Sequence, residues 1–220
     1  MPRKRPIIQH LLPLVLAATI PFLGLTVFNL WQRVQQVTEL IEARLVDAAG
    51  RTAFDAERFI RIGQDMLSRL VARPLVRALD AGQCDPELVN YLAFIPAYAN
   101  LLTIATDGRL VCSAVAPRAG GPQSGNPSAV MDQAKRTRAF AVGAPEKGFV
   151  TDKWMTSLAQ PIIDAQGAFQ GVVALSVDLL TFSKTRNVGA LNGNTVTGVI
   201  TSNGQFIIRS MDPDEWIGKP

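Results

Sequence analysis

The sequence predicts an α+β fold in which one long helix packs against an antiparallel sheet of about five strands. Three observations lead to this prediction. Apolar residues recur at helical spacing from residue 32 to about residue 80, strand-like alternation begins near residue 100, and Gly-containing turns separate apolar runs. With 48% apolar and 18% charged residues, the chain has enough apolar side chains to form a core.

The long helix, predicted over residues 32–82, carries one apolar stripe. Its members recur at spacings of three or four, apart from a gap of seven at Gly63. Charged residues at i, i+4 support the exposed side, and Pro74 and Gly82 mark where the helix weakens and ends. We expect part of the stripe to face a second subunit and the later part to face the sheet. The stripe comprises Val34, Val37, Ile41, Leu45, Ala48, Thr52, Ala56, Phe59, Met66 and Leu70.

Two hairpins and a helical insertion account for the sheet. The first hairpin turns at Thr106-Asp107-Gly108 and the second at Ala165-Gln166-Gly167. The first pairs residues 101–105 with 109–115, and the second pairs 155–164 with 169–179. Between them we expect a Gly- and Pro-rich loop at 116–128, a short helix at 129–137 and an edge strand at 149–153.

An apolar run near the N-terminus predicts a membrane helix. Residues 11–31 contain no charged residue, and 21 residues of helix span about 30 Å, the thickness of the hydrocarbon core of a bilayer. A cleaved signal peptide is the alternative, but it favours a shorter apolar run and a small-residue cleavage site. The basic residues at 3–5 place the N-terminus in the cytoplasm and residues 32–220 in the periplasm or outside the cell.

The two cysteines, Cys84 and Cys112, lie on the side that this topology places outside the cytoplasm, where disulfides persist. We expect them to pair, and two buried free thiols are the competing interpretation. A zinc site is disfavoured because the only histidine, His10, lies at the membrane edge and two cysteines cannot complete a tetrahedral shell. No metal or cofactor is expected.

Charge and motifs argue against two further classes of function. Arg3, Lys4 and Arg5 supply three of the four net positive charges, and no basic stripe with aromatic partners follows, so no nucleic-acid partner is expected. A hydrolytic triad lacks a histidine base near Ser113 or Ser157, and the glycines at 120–125 lie outside any strand-to-helix phosphate loop. We therefore expect no enzymatic activity.

The order of several segments resembles the N-terminal sensory part of bacterial membrane receptors with a double Cache domain, such as diguanylate cyclases and sensor histidine kinases. After the apolar run and the long helix come PLVRALD, PAYANLLTIATDGRLVCSA, FAVG, LAQPIIDAQGAFQGVVALSVDL and TGVITSNGQFIIRSMDPDEWIGKP. The resemblance covers almost the whole chain, and relatives of this kind also carry cysteines at the two cysteine positions. It implies PAS-like sheets beside a long helix, with ligands on the face that carries the helical insertion.

Residues 101–114 and 196–210 share one strand–turn–strand pattern. The resemblance explains this internal repeat, which we call the echo, because each Cache module opens with such a hairpin. Together with the apolar run, the basic start and the apolar stripe, it predicts a cytoplasmic segment at 1–10, a transmembrane helix at 11–31, the long helix at 32–82, a membrane-distal module at 83–192 and the start of a membrane-proximal module at 193–220. A PAS-like module needs about 100 residues to enclose a core. We therefore expect an incomplete second module and a longer parent receptor, such as a diguanylate cyclase or a histidine kinase.

Five residues are candidate ligand contacts. In amino-acid-sensing relatives an Asp that closes the last distal strand holds the ligand amine, and Asp178 has a similar position, although a strand-end Asp more often caps the next turn. Trp154 and Tyr98 could line a pocket or belong to the core. Lys153 and Arg138 are candidate partners of an acidic ligand. The stretch GNPSAVMDQA lacks the arginine and aromatic residues that amino-acid binders carry there.

Two hypotheses of function follow. The first is a membrane-anchored sensor region in which a small ligand shifts the long helices of a dimer and the membrane helix carries that change inward. The second is an anchored structural or protein-interaction module without a small ligand. The expected partners are membrane lipid, a second copy of the chain through the long helix and, for the first hypothesis, a small molecule.

Overall fold

The computed structural model describes residues 8–116, 129–148, 150, 153–185 and 196–219, with the side chains of residues 8–18, 34 and 36–40 left aside. The chain divides into two compact units, Met1–Ala48 and Ala49–Pro220. The helices are α1 (Ile8–Val71), α2 (Pro74–Ala78), α3 (Glu87–Leu92), α4 (Ala129–Thr137), α5 (Leu179–Thr185) and α6 (Pro213–Trp216). The strands are β1 (Tyr98–Ala105), β2 (Leu110–Ser113), β3 (Ala141–Val142), β4 (Glu146–Lys147), β5 (Trp154–Ile163), β6 (Phe169–Asp178), β7 (Gly198–Ile200) and β8 (Phe206–Arg209).

The main sheet is antiparallel and follows the order β2–β1–β6–β5–β3, with β4 also paired to β5. The predicted α+β class, the sheet of about five strands and the short helix over 129–137 are confirmed. Of the edge strand expected at 149–153, the two residues that the structure describes, Val150 and Lys153, are not in a strand, and the short strand β4 that pairs with β5 lies earlier, at Glu146–Lys147. The Gly148 N–H donates to the Lys153 carbonyl and Lys147 pairs with Trp154, so the pairing between β4 and β5 ends at these residues. Residues 149, 151 and 152 lie outside the described residues.

The last part of α1, from Phe59 to its end at Val71, covers one face of this sheet. Its buried side chains are Phe59, Met66, Leu67 and Leu70, and they pack with Leu101, Leu158, Val173, Leu175 and Val177. At the gap in the apolar stripe, a Cβ on Gly63 would lie 2.7 Å from Leu158 Cδ1. The missing side chain therefore lets the helix approach the sheet closely. The opposite face is covered by α4, whose Val130, Met131 and Ala134 pack with Leu102, Ala159 and Ala174.

The long helix ends earlier than expected. It stops at Val71 and not near Asp80, and Pro74 begins the separate α2. Proline disfavours a helical conformation in the preceding residue, and Arg73 is extended with φ −78° and ψ 135°. The Arg73 guanidinium then contacts the buried Asp85 carboxylate twice, at 2.6 Å through Nε and at 3.0 Å through Nη2. This ion pair connects the end of α1 to the segment that begins α3.

A disulfide adds a second connection in the same region. It joins Cys84 to Cys112 in β2, with an S–S distance of 2.11 Å and a Cα–Cα distance of 5.6 Å. The predicted partners are thus bonded to each other, which leaves neither free thiols nor thiolate ligands. The two cysteines are 28 positions apart, and the bond between them restricts the unfolded chain. In the chain-entropy description this raises the free energy of unfolding by about 3–4 kcal/mol.

The second hairpin repeats the backbone of the first. In β1–β2 the pairs are Leu102 with Ser113, Thr103 with Cys112 and Ile104 with Leu110. In β7–β8 they are Gly198 with Arg209, Val199 with Ile208 and Ile200 with Phe206, each pair 96 positions later and with the same irregularity in register. The turn glycines Gly108 and Gly204 have φ angles of 84° and 86°. The echo in the sequence is therefore an internal structural repeat.

The apolar N-terminal run is helical within α1, and eight large apolar side chains between residues 20 and 31 are exposed. Within the residues that the structure describes, no helix has a stretch that is long and apolar enough to cross a membrane. The side chains of residues 11–18, the first part of the span expected at 11–31, are not described.

The two helical glycines provide a matched test of the α1 packing. In Gly63→Ala the new methyl group would meet the buried Leu158, and overpacking of this kind costs about 1–3 kcal/mol, more than the gain of about 1 kcal/mol in helix propensity. In Gly50→Ala no atom lies within 4 Å, so the same change should stabilise by about 0.5–1 kcal/mol. Urea unfolding of both variants measures the difference. Equal stabilisation by both changes would contradict the close approach at Gly63.

Asp85 should make the fold sensitive to acid. The hydrogen bond from Arg73 lowers the pKa of Asp85, although burial opposes this shift. Because the native pKa lies below the unfolded value of about 3.9, the stabilisation is complete above about pH 5 and is lost as the pH falls through the native pKa. We expect Asp85→Asn to cost about 1–3 kcal/mol at pH 6.5 and progressively less below about pH 4.

The control for this measurement is Asp107→Asn, which alters the exposed ion pair between Asp107 and Arg109, 3.7 Å long. This change should shift stability by less than about 0.5 kcal/mol at either pH. A penalty for Asp85→Asn that stays constant between pH 6.5 and pH 3.5 would refute the role of the Asp85 charge.

Candidate functional site

The candidate site lies on the sheet face that carries α4, at the end of β6. Side chains of a strand alternate between faces, so Val172, Ala174, Ser176 and Asp178 share this face. The first two are covered by α4 in an apolar cluster. Beyond them the same face becomes polar, although Ser176 and Asp178 remain buried, at 5% and 4% exposure.

A polar row crosses four strands at this level of the sheet. Ser176 in β6 lies opposite Ser157 in β5 on one side and opposite Asn100 in β1 on the other. The Asn100 amide donates to Ser113 Oγ in β2 at 2.8 Å, and its oxygen accepts the Val115 N–H at 3.1 Å. These two bonds hold Asn100 rigidly. The row places polar groups on a face that is otherwise apolar. Asn100 and Ser176 are 1% and 5% exposed, so Ser113 and Ser157 are its more accessible members.

Asp178 closes β6 and begins α5. Its Oδ1 accepts the backbone N–H groups of Leu180 and Thr181, both at 3.0 Å. Its Oδ2 accepts the Thr181 hydroxyl at 3.0 Å and the Lys153 ammonium at 2.8 Å. The carboxylate is therefore an N-cap and one half of an ion pair, and it fills about as many acceptor positions as a carboxylate has.

The electrostatics of Asp178 follow from these four donors. Burial acts to raise the pKa of Asp178, but the hydrogen bonds from Lys153 and Thr181 outweigh it and hold the pKa below its ordinary value. The carboxylate is thus ionised at neutral pH. The Lys153 side chain is 57% exposed, so its ammonium is the part of this arrangement that solvent or a ligand can reach.

The other aromatic and basic candidates lie in different places. Trp154 follows Lys153, and its ring lies against the backbone of Gly218, where a Cβ would come within 2.4 Å of the indole. Tyr98 is on the opposite face, in the α1 cluster, with its ring 5.6 Å from that of Phe59. Burial raises the pKa of Tyr98, and its hydroxyl has no hydrogen-bond partner in the described part of the chain.

Arg138 lies at the far end of the sheet from Asp178. Its guanidinium donates to the carbonyl of Gly167 in the turn before β6. Since β6 has 10 residues, this turn and Asp178 are separated by about 30 Å. The structure thus brings Lys153 and Asp178 together, places Trp154 beside them, and separates Tyr98 and Arg138 from them.

Sequence reasoning missed the polar row itself. Ser176 stands two positions before Asp178, which is the spacing of one strand face, and Ser157 stands two positions after Met155, the residue paired with Asp178. This spacing of two residues can be recognised within each strand from the sequence alone. Joining the four strands into one row required the register, which only the structure supplies. No group of three or more acidic, histidine or cysteine side chains in the described segments could hold a metal ion.

The comparisons with known proteins point to one kind of domain. No protein-family model and no curated protein matches the sequence. The ligand-binding domain of the amino-acid chemoreceptor PctC of Pseudomonas aeruginosa PAO1, in complex with GABA, matches with a TM-score of 0.58 at 15% identity over 79% of this chain and 77% of its own. The sensor domain of the histidine kinase DctB of V. cholerae matches with a TM-score of 0.58 at 15% identity, over 83% and 69%.

The chain has the fold of an extracellular ligand-binding sensor domain. A third structure with this sensor fold is the ligand-binding domain of the chemoreceptor Tlp3 of Campylobacter jejuni, with a TM-score of 0.58 at 14% identity over 75% of this chain and 68% of that one. The likeness is to sensor domains and not to catalytic domains, as the missing catalytic motifs predict. At these identities the likeness establishes the fold, while the chemistry must be argued from the site.

Proposed function

We propose that the chain is the membrane-anchored sensing region of a signal-transduction receptor, and that a small polar ligand binds on the α4 face of its sheet. The observation that carries this proposal is the polar row of Asn100, Ser113, Ser157 and Ser176 beside the Lys153–Asp178 ion pair. Convergent polar groups on an otherwise apolar surface are typical of small-molecule sites. The sensor fold supports the same interpretation, because PctC and Tlp3 bind GABA and 4-methylisoleucine on this fold.

The ion pair sets the chemistry that such a ligand must have. Asp178 already receives an ammonium group, from Lys153, so a ligand amine would have to displace that side chain. An acidic group could instead approach the exposed side of the Lys153 ammonium and hydrogen-bond to the serine row. We therefore propose a small ligand with an acidic group as the first class to test, with amines and amino acids as the second.

One observation favours the alternative, an anchored structural or interaction module without a small ligand. All four donors around Asp178 come from the protein itself, and this is the arrangement expected of a purely structural N-cap. Under this alternative the polar row would be satisfied within the protein, and no compound would stabilise the fold.

A thermal-shift screen of the full chain distinguishes the two functions. With organic acids, amines, amino acids and purines at millimolar concentration, a ligand at ten times its Kd stabilises by about 1.4 kcal/mol and should raise the Tm by about 3–6 °C. Ser157→Leu, which fills the row, should abolish the shift. Arg138→Gln is the control, and it should retain the shift because Arg138 lies at the far end of the sheet. If no compound raises the Tm, the sensing function is rejected in favour of the structural module.

The anchor and the dimer are proposed from the first unit of the chain. Exposed apolar side chains such as Phe22, Leu25 and Phe28 need a non-aqueous environment, and a lipid bilayer provides one for the apolar run at 11–31. Further along α1, Ile41 and Leu45 are 51% and 45% exposed, and we propose that they face a second copy of the chain. The disulfide is in keeping with a location of residues 32–220 outside the cytoplasm.

Cysteine crosslinking in isolated membranes tests both proposals. The native cysteines are bonded to each other, so Ile41→Cys and Leu45→Cys each add a single free thiol. We expect the protein in the membrane pellet and a disulfide-linked dimer after mild oxidation. Ala43→Cys, exposed on the opposite side of the helix, should give much less dimer. Equal yields of crosslinked dimer at all three positions would contradict the proposed dimer. Recovery of the uncleaved chain in the soluble fraction would contradict the proposed membrane anchor.

The structural repeat supports the proposed division of the chain. We propose that residues 83–192 form the membrane-distal module and that residues 193–220 belong to a second, membrane-proximal module. The two hairpins correspond pair by pair at an offset of 96 positions, as expected if each opens a module of the same kind. Residues 186–195, which connect them, lie outside the described residues.

A further inference from the structure

The β7–β8 hairpin contacts the rest of the fold through Ile208, which lies in the core cluster with Phe59 and Phe182, and through two further attachments that both lead to Asp178. The first attachment is through α5. Ser183 Oγ donates to the Arg209 carbonyl at 2.8 Å and accepts the Arg209 N–H at 3.2 Å. One buried hydroxyl on α5 therefore satisfies both backbone groups of a residue in β8. The position of α5 thus decides whether β8 keeps these bonds.

The second attachment is through Trp154. The backbone of Gly218, with φ 78°, lies so close to the indole that any side chain there would overlap the ring. The adjacent Ile217 is 2% exposed, and Gly218 N–H donates to the carbonyl of Phe206 in β8 at 2.9 Å. The start of β5 therefore forms part of the surface on which the segment after β8 lies.

Asp178 is hydrogen-bonded to α5 and to the residue before Trp154, and these are the places that carry the two attachments. Its Oδ1 fixes the first turn of α5 through Leu180 and Thr181, and its Oδ2 fixes Lys153, the residue before Trp154. The hairpin also has contacts of its own, since the Arg209 guanidinium lies 4.2 Å from the Trp216 ring and 5.1 Å from the Phe206 ring. These contacts of Arg209 involve neither α5 nor β5.

We propose that the Lys153–Asp178 ion pair couples the candidate ligand site to the β7–β8 hairpin, so that breaking the pair loosens the hairpin from α5 and from Trp154. An acidic ligand that draws the Lys153 ammonium away from Asp178 would then loosen the hairpin. The role of the ligand rests on the proposed function. The coupling between the pair and the hairpin does not, and it is tested without any ligand.

Hydrogen–deuterium exchange on the full chain measures the coupling. Lys153→Gln removes the ammonium, and we expect peptides that cover β8 and residues 213–219 to exchange about three- to tenfold faster, while those of β1 and β6 remain unchanged. Arg109→Gln is the control, since it removes the same charge from the exposed pair with Asp107. It should change neither region.

Asp178→Ser provides a second, independent variant. Serine can still accept the N–H groups of Leu180 and Thr181 but cannot pair with Lys153. We expect the same faster exchange at the hairpin, and no further increase in the double variant with Lys153→Gln, because both changes break one interaction. Unchanged exchange at the hairpin in both single variants would overturn the proposal. An increase that β1 and β6 share equally would overturn it as well, since it would show general destabilisation. Neither result would contradict the proposed ligand site, which the thermal-shift screen tests separately.

Discussion

The structure depends on the burial of β6. This strand pairs with β1 along one edge and with β5 along the other, and all eight residues from Gly171 to Asp178 are buried. Burial on both faces explains the continuous apolar run GVVALSV, in contrast to the alternation of a half-exposed strand. Even the backbone is tightly enclosed, because a Cβ on Gly171 would lie 2.2 Å from the carbonyl oxygen of Ile104. Because β6 can neither shift along its neighbours nor accept a larger side chain at Gly171, its register is fixed, and so is the position of Asp178 at its end.

Placing a carboxylate at this fixed position has a physical consequence. A buried charge must be compensated, and Asp178 is compensated by an N-terminal helical turn, a hydroxyl and an ammonium group. Three of the four donor groups belong to α5, and the fourth is the ammonium of Lys153, the residue directly before β5. The need to satisfy one carboxylate therefore joins two elements that the β5–β6 hairpin alone would leave independent. Because Lys153 is the exposed member, it is the donor that a ligand can most readily replace.

Much of the fold could be predicted from the sequence because its determinants are local. Asp-Gly and Gln-Gly turns indicated the hairpins, the short helix was predicted with its observed bounds, and the long helix was read from its apolar stripe. The predicted end of that helix was wrong because Pro74 was taken to weaken one helix, whereas it begins a second. The sheet face on which the Tyr98 side chain lies could also not be predicted from the sequence. A register irregularity between Tyr98 and Asn100 decides it, and irregularities of this kind leave no clear mark in a single sequence.

The internal repeat separates what local sequence determines from what the surroundings determine. The two hairpins share pairing, irregularity and turn geometry, although only their turns, Asp107-Gly108 and Asn203-Gly204, are closely similar in sequence. Their environments differ, since β1 pairs with β6 whereas β7, within the described residues, pairs only with β8. Ile104 is accordingly 9% exposed and its counterpart Ile200 is 58% exposed. The same pairing pattern thus occurs in β1, which lies between two strands of the main sheet, and in β7–β8, which forms a two-stranded sheet. Because the hairpin has its own strand pairing and turn, the response that we propose for it does not require the main sheet to unfold.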